Sequence, residues 1–167
     1  KLNVLDALNS NRLTYGKYSK KFESEWARIH IQAFGVFVNS GTSALQIGLA
    51  AMKEYYGWPD GAKVIVPAVT FVASLNVILQ NNLTPVLVDV EPAQWLIGPN
   101  GWDPEAVAVM PVALYGNPVL SPVYQQAKDI GAKVITDACE SGFIGGVVGG
   151  DITCFSTYAC HIVNTGV

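Results

Sequence analysis

The chain has 167 residues, half of them hydrophobic and only 14% charged, with a formal net charge of −3. Its ten basic residues form no stripe, which argues against nucleic-acid binding. The longest apolar stretch, Val64 to Leu79, is interrupted by Pro67, Ser74 and Asn76 and is too broken to span a bilayer.

Residues 1–16 are polar and mixed and read as an N-terminal arm or loop ending in Thr14-Tyr15-Gly16. From Tyr18, the spacing of Phe22, Trp26 and Ile29 predicts a helix. Val36-Phe37-Val38 reads as a short buried strand, followed by a turn at Asn39-Ser40-Gly41. A helix is expected from about Thr42 to Tyr56, with Leu45, Leu49 and Met52 on one face. Lys63 to Val66 is the next strand, closed by Pro67, and a further helix covers roughly Phe71 to Gln80.

Strands are then expected at Pro85 to Asp89 and Ala106 to Val112, the second leading into a turn at Tyr115-Gly116-Asn117-Pro118. Ser121 to Ile130 reads as a helix, Lys133 to Thr136 as a strand ending at Asp137, and Ile152 to Phe155 as a last short strand. Alternation of strand and helix implies parallel strands joined by crossovers: one α/β domain over 1–167 with helices on both faces of a sheet. So apolar a composition suits a buried parallel sheet, or a subunit that hides surface in an interface.

Ser40-Gly41-Thr42-Ser43 falls between a strand and a helix. Small residues there let the backbone approach an anion, and the helix start offers free N–H groups; the same residues also serve as an ordinary N-cap. Asp137 closes an apolar strand, where open α/β sheets form their binding crevice. A carboxylate there can hold a pyridine nitrogen protonated, or can merely cap the following turn. Glu140 can reach the same place or face solvent. Phe71, following the strand that ends near Pro67, can stack on a planar ring or join the core. Ser156, in a second turn of small residues, can add a hydroxyl to an anion site.

Cys139, Cys154 and Cys160 are odd in number and lack any Cys-x-x-Cys pair, so neither a disulfide framework nor structural zinc is expected. Free thiols and a start without a secretory signal point to a reducing, cytoplasmic setting. A start without methionine and a stop at Val167, directly after the richest motif, point to a fragment of something longer.

Taken in order, Thr14-Tyr15-Gly16, Phe22-Glu23, Ser40-Gly41-Thr42-Ser43-Ala44-Leu45, Val64-Ile65-Val66-Pro67, Thr70-Phe71-Val72-Ala73, Pro85-Val86-Leu87-Val88-Asp89, Pro111-Val112-Ala113-Leu114-Tyr115-Gly116, Asp137-Ala138-Cys139-Glu140 and Phe155-Ser156-Thr157-Tyr158 resemble the DegT/StrS sugar aminotransferase family. The resemblance implies the large domain of a fold-type-I pyridoxal-phosphate (PLP) enzyme, three-layer α/β/α with a mostly parallel sheet. It further implies a homodimer with sites at the subunit interface, acting on nucleotide-linked keto sugars. Carried over by position, Gly41, Thr42, Ser43 and Ser156 would hold the cofactor phosphate. Phe71 would stack on the ring, Asp137 would face the pyridine nitrogen, and Glu140 would stand where the family often has glutamine near the ring hydroxyl.

Three departures stand out. The family's cofactor-binding lysine falls at His161, and Thr157-Tyr158-Ala159-Cys160 replaces the usual Phe-Tyr-Pro-Ser or similar. The stretch from Glu91 to Val109 looks shortened, as though one crossover helix were missing. Set against the resemblance, the family's C-terminal small domain would be missing from these 167 residues. Histidine at this place also marks the sugar 3-dehydratase branch, which works with pyridoxamine phosphate (PMP). An imidazole cannot form the imine that a lysine amine forms, yet it moves protons near neutral pH. Lys133, four residues before Asp137 on the same strand, would lie roughly 13 Å from the crevice. The readings are therefore PMP-dependent sugar 3-dehydration, amino transfer to a keto sugar, or an inactive cofactor-binding fragment.

Overall fold

The computed structural model describes residues 2–141, 149–158 and 160–161. The chain divides into two compact units, Lys1–Phe37 and Val38–Val167.

The first unit holds helices α1 (Leu2–Asn9) and α2 (Lys17–Ile29). The stretch expected to be an arm or loop is thus helical over half its length. Asp6 on α1 explains this: its carboxylate accepts a hydrogen bond from the Tyr18 hydroxyl at 2.7 Å and pairs with Lys17, joining α1 to the start of α2. On α2, Phe22 stacks on Trp26 and meets Phe37 edge-on. Glu23 accepts from the Tyr15 hydroxyl at 2.6 Å and from the Phe37 N–H at 2.8 Å. The expected buried strand at Val36-Phe37-Val38 does not form. Val36 is 78% exposed, and the Phe37 amide is taken up by a carboxylate where a neighbouring strand would have been needed.

The second unit is a five-stranded, all-parallel sheet of β1 (Lys63–Pro67), β2 (Thr84–Val88), β3 (Ala108–Val109), β4 (Lys133–Asp137) and β5 (Ile152–Cys154), in the order β2-β1-β3-β4-β5. Helices α3 (Gly41–Tyr56), α4 (Val72–Gln80) and α5 (Ser121–Asp129) complete it. Alternate strand residues face opposite sides. Val64, Val66, Ala108, Met110 and Ile135 pack with Leu45, Leu49 and Met52 of α3 and Val77 and Ile78 of α4. Ile65, Val109 and Val134 pack on the other face with Ala127 of α5 and with Ile97 and Ala106. The result is the expected three-layer α/β/α arrangement.

Strand β3, Ala108–Val109, is shorter than the expected Ala106 to Val112, and at its far end Pro111 has no N–H to donate. Past Val109 the ladder continues as separate links: Met110 N–H to the Ile65 carbonyl, and an isolated parallel bridge of Val112 with Asp137, in which the Asp137 N–H donates to the Pro111 carbonyl and the Ala113 N–H to the Asp137 carbonyl. Between β2 and β3 no helix occurs; the connection instead folds back through an antiparallel bridge of Val90 with Ile97. Among the described residues no helix is long and apolar enough to cross a membrane.

Candidate active site

Because all five strands are parallel, the last residues of β1, β2, β4 and β5 lie at one end of the sheet. Asp137 closes β4 there and is only 4% exposed. Its Oδ2 accepts from Ser74 Oγ at 2.8 Å, and its Oδ1 accepts from the Cys139 N–H at 3.2 Å. Ser74 Oγ is also 2.8 Å from Thr70 Oγ1. A carboxylate removed from water is tolerable only with such donors.

The start of α3 comes to the same end. Ser40 is the N-cap: its Oγ accepts from the Ser43 N–H at 3.1 Å and its carbonyl accepts from the Ala44 N–H. The N–H groups of Gly41 and Thr42 have no partner among the described residues, as a helix start allows. A side chain at Gly41 would not fit. A Cβ there would lie 2.7 Å from Cys139 Sγ and 2.9 Å from Ser156 Cβ. The helix start, the turn after β4 and the turn after β5 therefore meet at Gly41.

Cys139 and Cys154 flank the carboxylate. Burial first, then the Asp137 charge, pushes both thiols up, that of Cys154 to about 12. Both stay protonated at neutral pH, which suits neither a nucleophile nor a metal ligand.

Phe71 sits at the N-cap of α4, one turn before Ser74, and is 67% exposed. The alternative of a core residue is thereby removed. Glu140 is half-buried, and its Oε2 accepts the Tyr115 N–H at 2.7 Å in a bond that remains exposed. His161 is half-buried; its backbone N–H donates to the Tyr158 carbonyl at 2.8 Å and its ring meets Tyr158 edge-on at 5.5 Å. Its Nδ1 is buried and has no hydrogen-bond partner among the described residues. Residue 159 and the tail beyond His161, 162–167, lie outside the described residues.

Cys139 thus lies between Gly41 and Asp137, and Ser156 lies against Gly41, whereas among the described residues Phe71 is tied to Asp137 only through Ser74 and His161 to Ser156 only through Tyr158. Lys133 is directed elsewhere: its ammonium lies 3.7 Å from Asp151 and 4.9 Å from the Tyr56 ring centroid. Ser74 and Thr70 are the site residues that sequence reading passed over. The signal was present, since Ser74 is a hydroxyl that interrupts an apolar helical run; the structure buries it fully.

An open parallel sheet whose polar groups gather beyond the carboxyl ends of its strands is the layout of an α/β ligand-binding domain. Residues 1–166 match the DegT/DnrJ/EryC1/StrS aminotransferase family, and the chain belongs to it. It is 33% identical over 161 residues to GDP-perosamine synthase of Escherichia coli O157:H7, an alignment covering 90% of this chain and 43% of that protein. It superposes with a TM-score of 0.74 on NtdA from Bacillus subtilis with bound cofactor PMP, at 32% identity over 83% of this chain and 32% of that one. The E. coli GDP-4-keto-6-deoxy-D-mannose-3-dehydratase with bound hydrated PLP superposes with a TM-score of 0.84, over 98% of this chain and 45% of that one. At 23% identity that likeness is one of fold alone. The chain spans less than half the length of each of these proteins.

Proposed function

We propose that the carboxyl end of the sheet holds pyridoxal or pyridoxamine phosphate without a covalent tether, in an enzyme that removes a hydroxyl as water from a nucleotide-linked keto sugar. The observation that carries this reading is the meeting of Gly41, Ser156 and the turn after Asp137 at one point. The residues fit the cofactor. A cradle that a single Cβ would fill, two N–H groups at a helix start without partners among the described residues, and the Ser156 hydroxyl suit a phosphate. A buried carboxylate suits a ring nitrogen that must stay protonated.

In this assignment Gly41, Thr42, Ser43 and Ser156 bind the phosphate, Phe71 lies against the ring and Asp137 faces its nitrogen. When bound, the group supplies an amine that condenses with a keto sugar and a ring that draws electrons from the adjoining carbon. Ser74 orients the Asp137 carboxylate from one side and the Cys139 N–H from the other. His161 Nδ1, with no partner among the described residues, takes a proton and passes it to the departing hydroxyl. The family's description favours a second reading, amino transfer to the keto sugar, with the same cofactor contacts. A homodimer belongs to either reading, and light scattering checks it. An inactive cofactor-binding fragment would share the cofactor contacts but turn over no sugar.

Equilibrium dialysis with PMP tests the site. The wild-type chain should bind it reversibly, and Asp137→Ala should weaken binding by about tenfold or more, the scale of one charge-assisted hydrogen bond. Equal binding by both would remove Asp137 from the site.

A further inference from the structure

Tyr115 is 74% exposed, yet its backbone is left-handed, with φ 54 and ψ 25. That conformation is costly for a bulky side chain and persists only where the surroundings hold it. Here they do. The Tyr115 N–H donates to Glu140 Oε2 at 2.7 Å, the Ala113 N–H donates to the Asp137 carbonyl at 2.9 Å, and the Asn117 side chain donates to the Gln94 carbonyl at 3.1 Å. Glycine would take the same turn at lower cost. An exposed ring contributes little to folding, so the presence of tyrosine here calls for a use on the open side of the turn.

We propose that Glu140 is a positioning residue whose carboxylate, by holding the Tyr115 N–H, sets the Tyr115 ring beside the Asp137 end of β4, where it receives the apolar face of the sugar. The inference rests on the substrate reading above. It differs from the role that resemblance gives Glu140, a contact to the cofactor ring hydroxyl. Three variants separate the two roles. Glu140→Ala removes the acceptor, Glu140→Gln keeps an oxygen that can accept, and Tyr115→Gly removes both ring and strain.

The experiment pairs two measurements on the full chain. One is the affinity for PMP and, with PMP saturating, for GDP-mannose as probe. The other is the amide exchange rate of Tyr115 by NMR. Glu140→Ala should weaken GDP-mannose binding about tenfold, change PMP binding less than about twofold, and speed Tyr115 exchange about tenfold. Glu140→Gln should stay within about twofold of wild type in all three. Tyr115→Gly should weaken GDP-mannose binding as much as Glu140→Ala, and the double variant no further. Loss of PMP affinity in Glu140→Ala would make Glu140 a cofactor contact and overturn the proposal, as would unchanged exchange at Tyr115. If wild type binds PMP but no GDP-mannose, the sugar reading fails and with it the use of the ring. The clamp itself is then decided by exchange alone.

Discussion

Ser74 Oγ donates to Asp137 Oδ2 at 2.8 Å, joining the first turn of α4 to the end of β4 across 63 residues of sequence. Both residues are buried, so the bond fixes a charged group where water cannot. Ser74→Ala leaves one carboxylate oxygen short of a donor and should cost about 1–3 kcal/mol of stability. Urea unfolding should show this as a lower midpoint with an unchanged slope.

Gly41→Ala places a methyl group on Cys139 and Ser156. Overpacking of this kind should cost about 1–3 kcal/mol and move the helix start. PMP affinity should fall about tenfold or more as the N–H groups lose their aim. Adding Cys139→Ala, which removes the sulfur of closest approach, should restore part of the stability but not all, because Ser156 remains.

Phe71→Ala should behave in the opposite way. With the ring mostly exposed, thermal unfolding should shift by no more than about 0.5 kcal/mol. PMP affinity should fall about three- to tenfold, the size of a lost ring–ring contact. An equal loss of stability and affinity would mean that Phe71 packs inside.

The Cys154 thiol gives a pH dependence. Burial and, less, the Asp137 charge raise it from 9.0 to about 12. The folded thiol keeps its proton after the unfolded one has lost it. Its contribution is therefore fully present below about pH 9 and is lost as pH rises toward 12. Stability should decline over that window by up to about 1.4 kcal/mol per pH unit for this thiol. Urea midpoints measured across the window should fall less steeply in Cys154→Ala.

What sequence could disclose depended on the range of the interactions. Helices α3, α4 and α5 and strands β1 and β4 were legible because each carries its own periodicity and its own stops, such as Gly57 in the left-handed conformation after α3. α1 was not, because its tie is the Asp6 carboxylate meeting Lys17 and Tyr18. Val36-Phe37-Val38 looks like a strand in isolation, but a strand needs a neighbour, and Glu23 took the amide. Gly41, Asp137 and Ser156 could be singled out because small residues open helix α3 and turns follow strands β4 and β5, features that each segment carries locally. Ser74 and the Glu140–Tyr115 link escaped because each partner lies 25 or more residues away.

A cofactor site without its covalent tether can be recognised chemically in a single experiment. Wild-type chain and His161→Lys are each incubated with pyridoxal phosphate, treated with borohydride and digested for mass spectrometry. A lysine amine forms a reducible imine with the aldehyde and an imidazole does not. Wild type should carry no reduced cofactor, while His161→Lys should carry it on the introduced lysine. Lys133, engaged with Asp151 and Tyr56, should stay unmodified in both. Reduced cofactor on Lys133 or any other lysine of the wild-type chain would contradict the account.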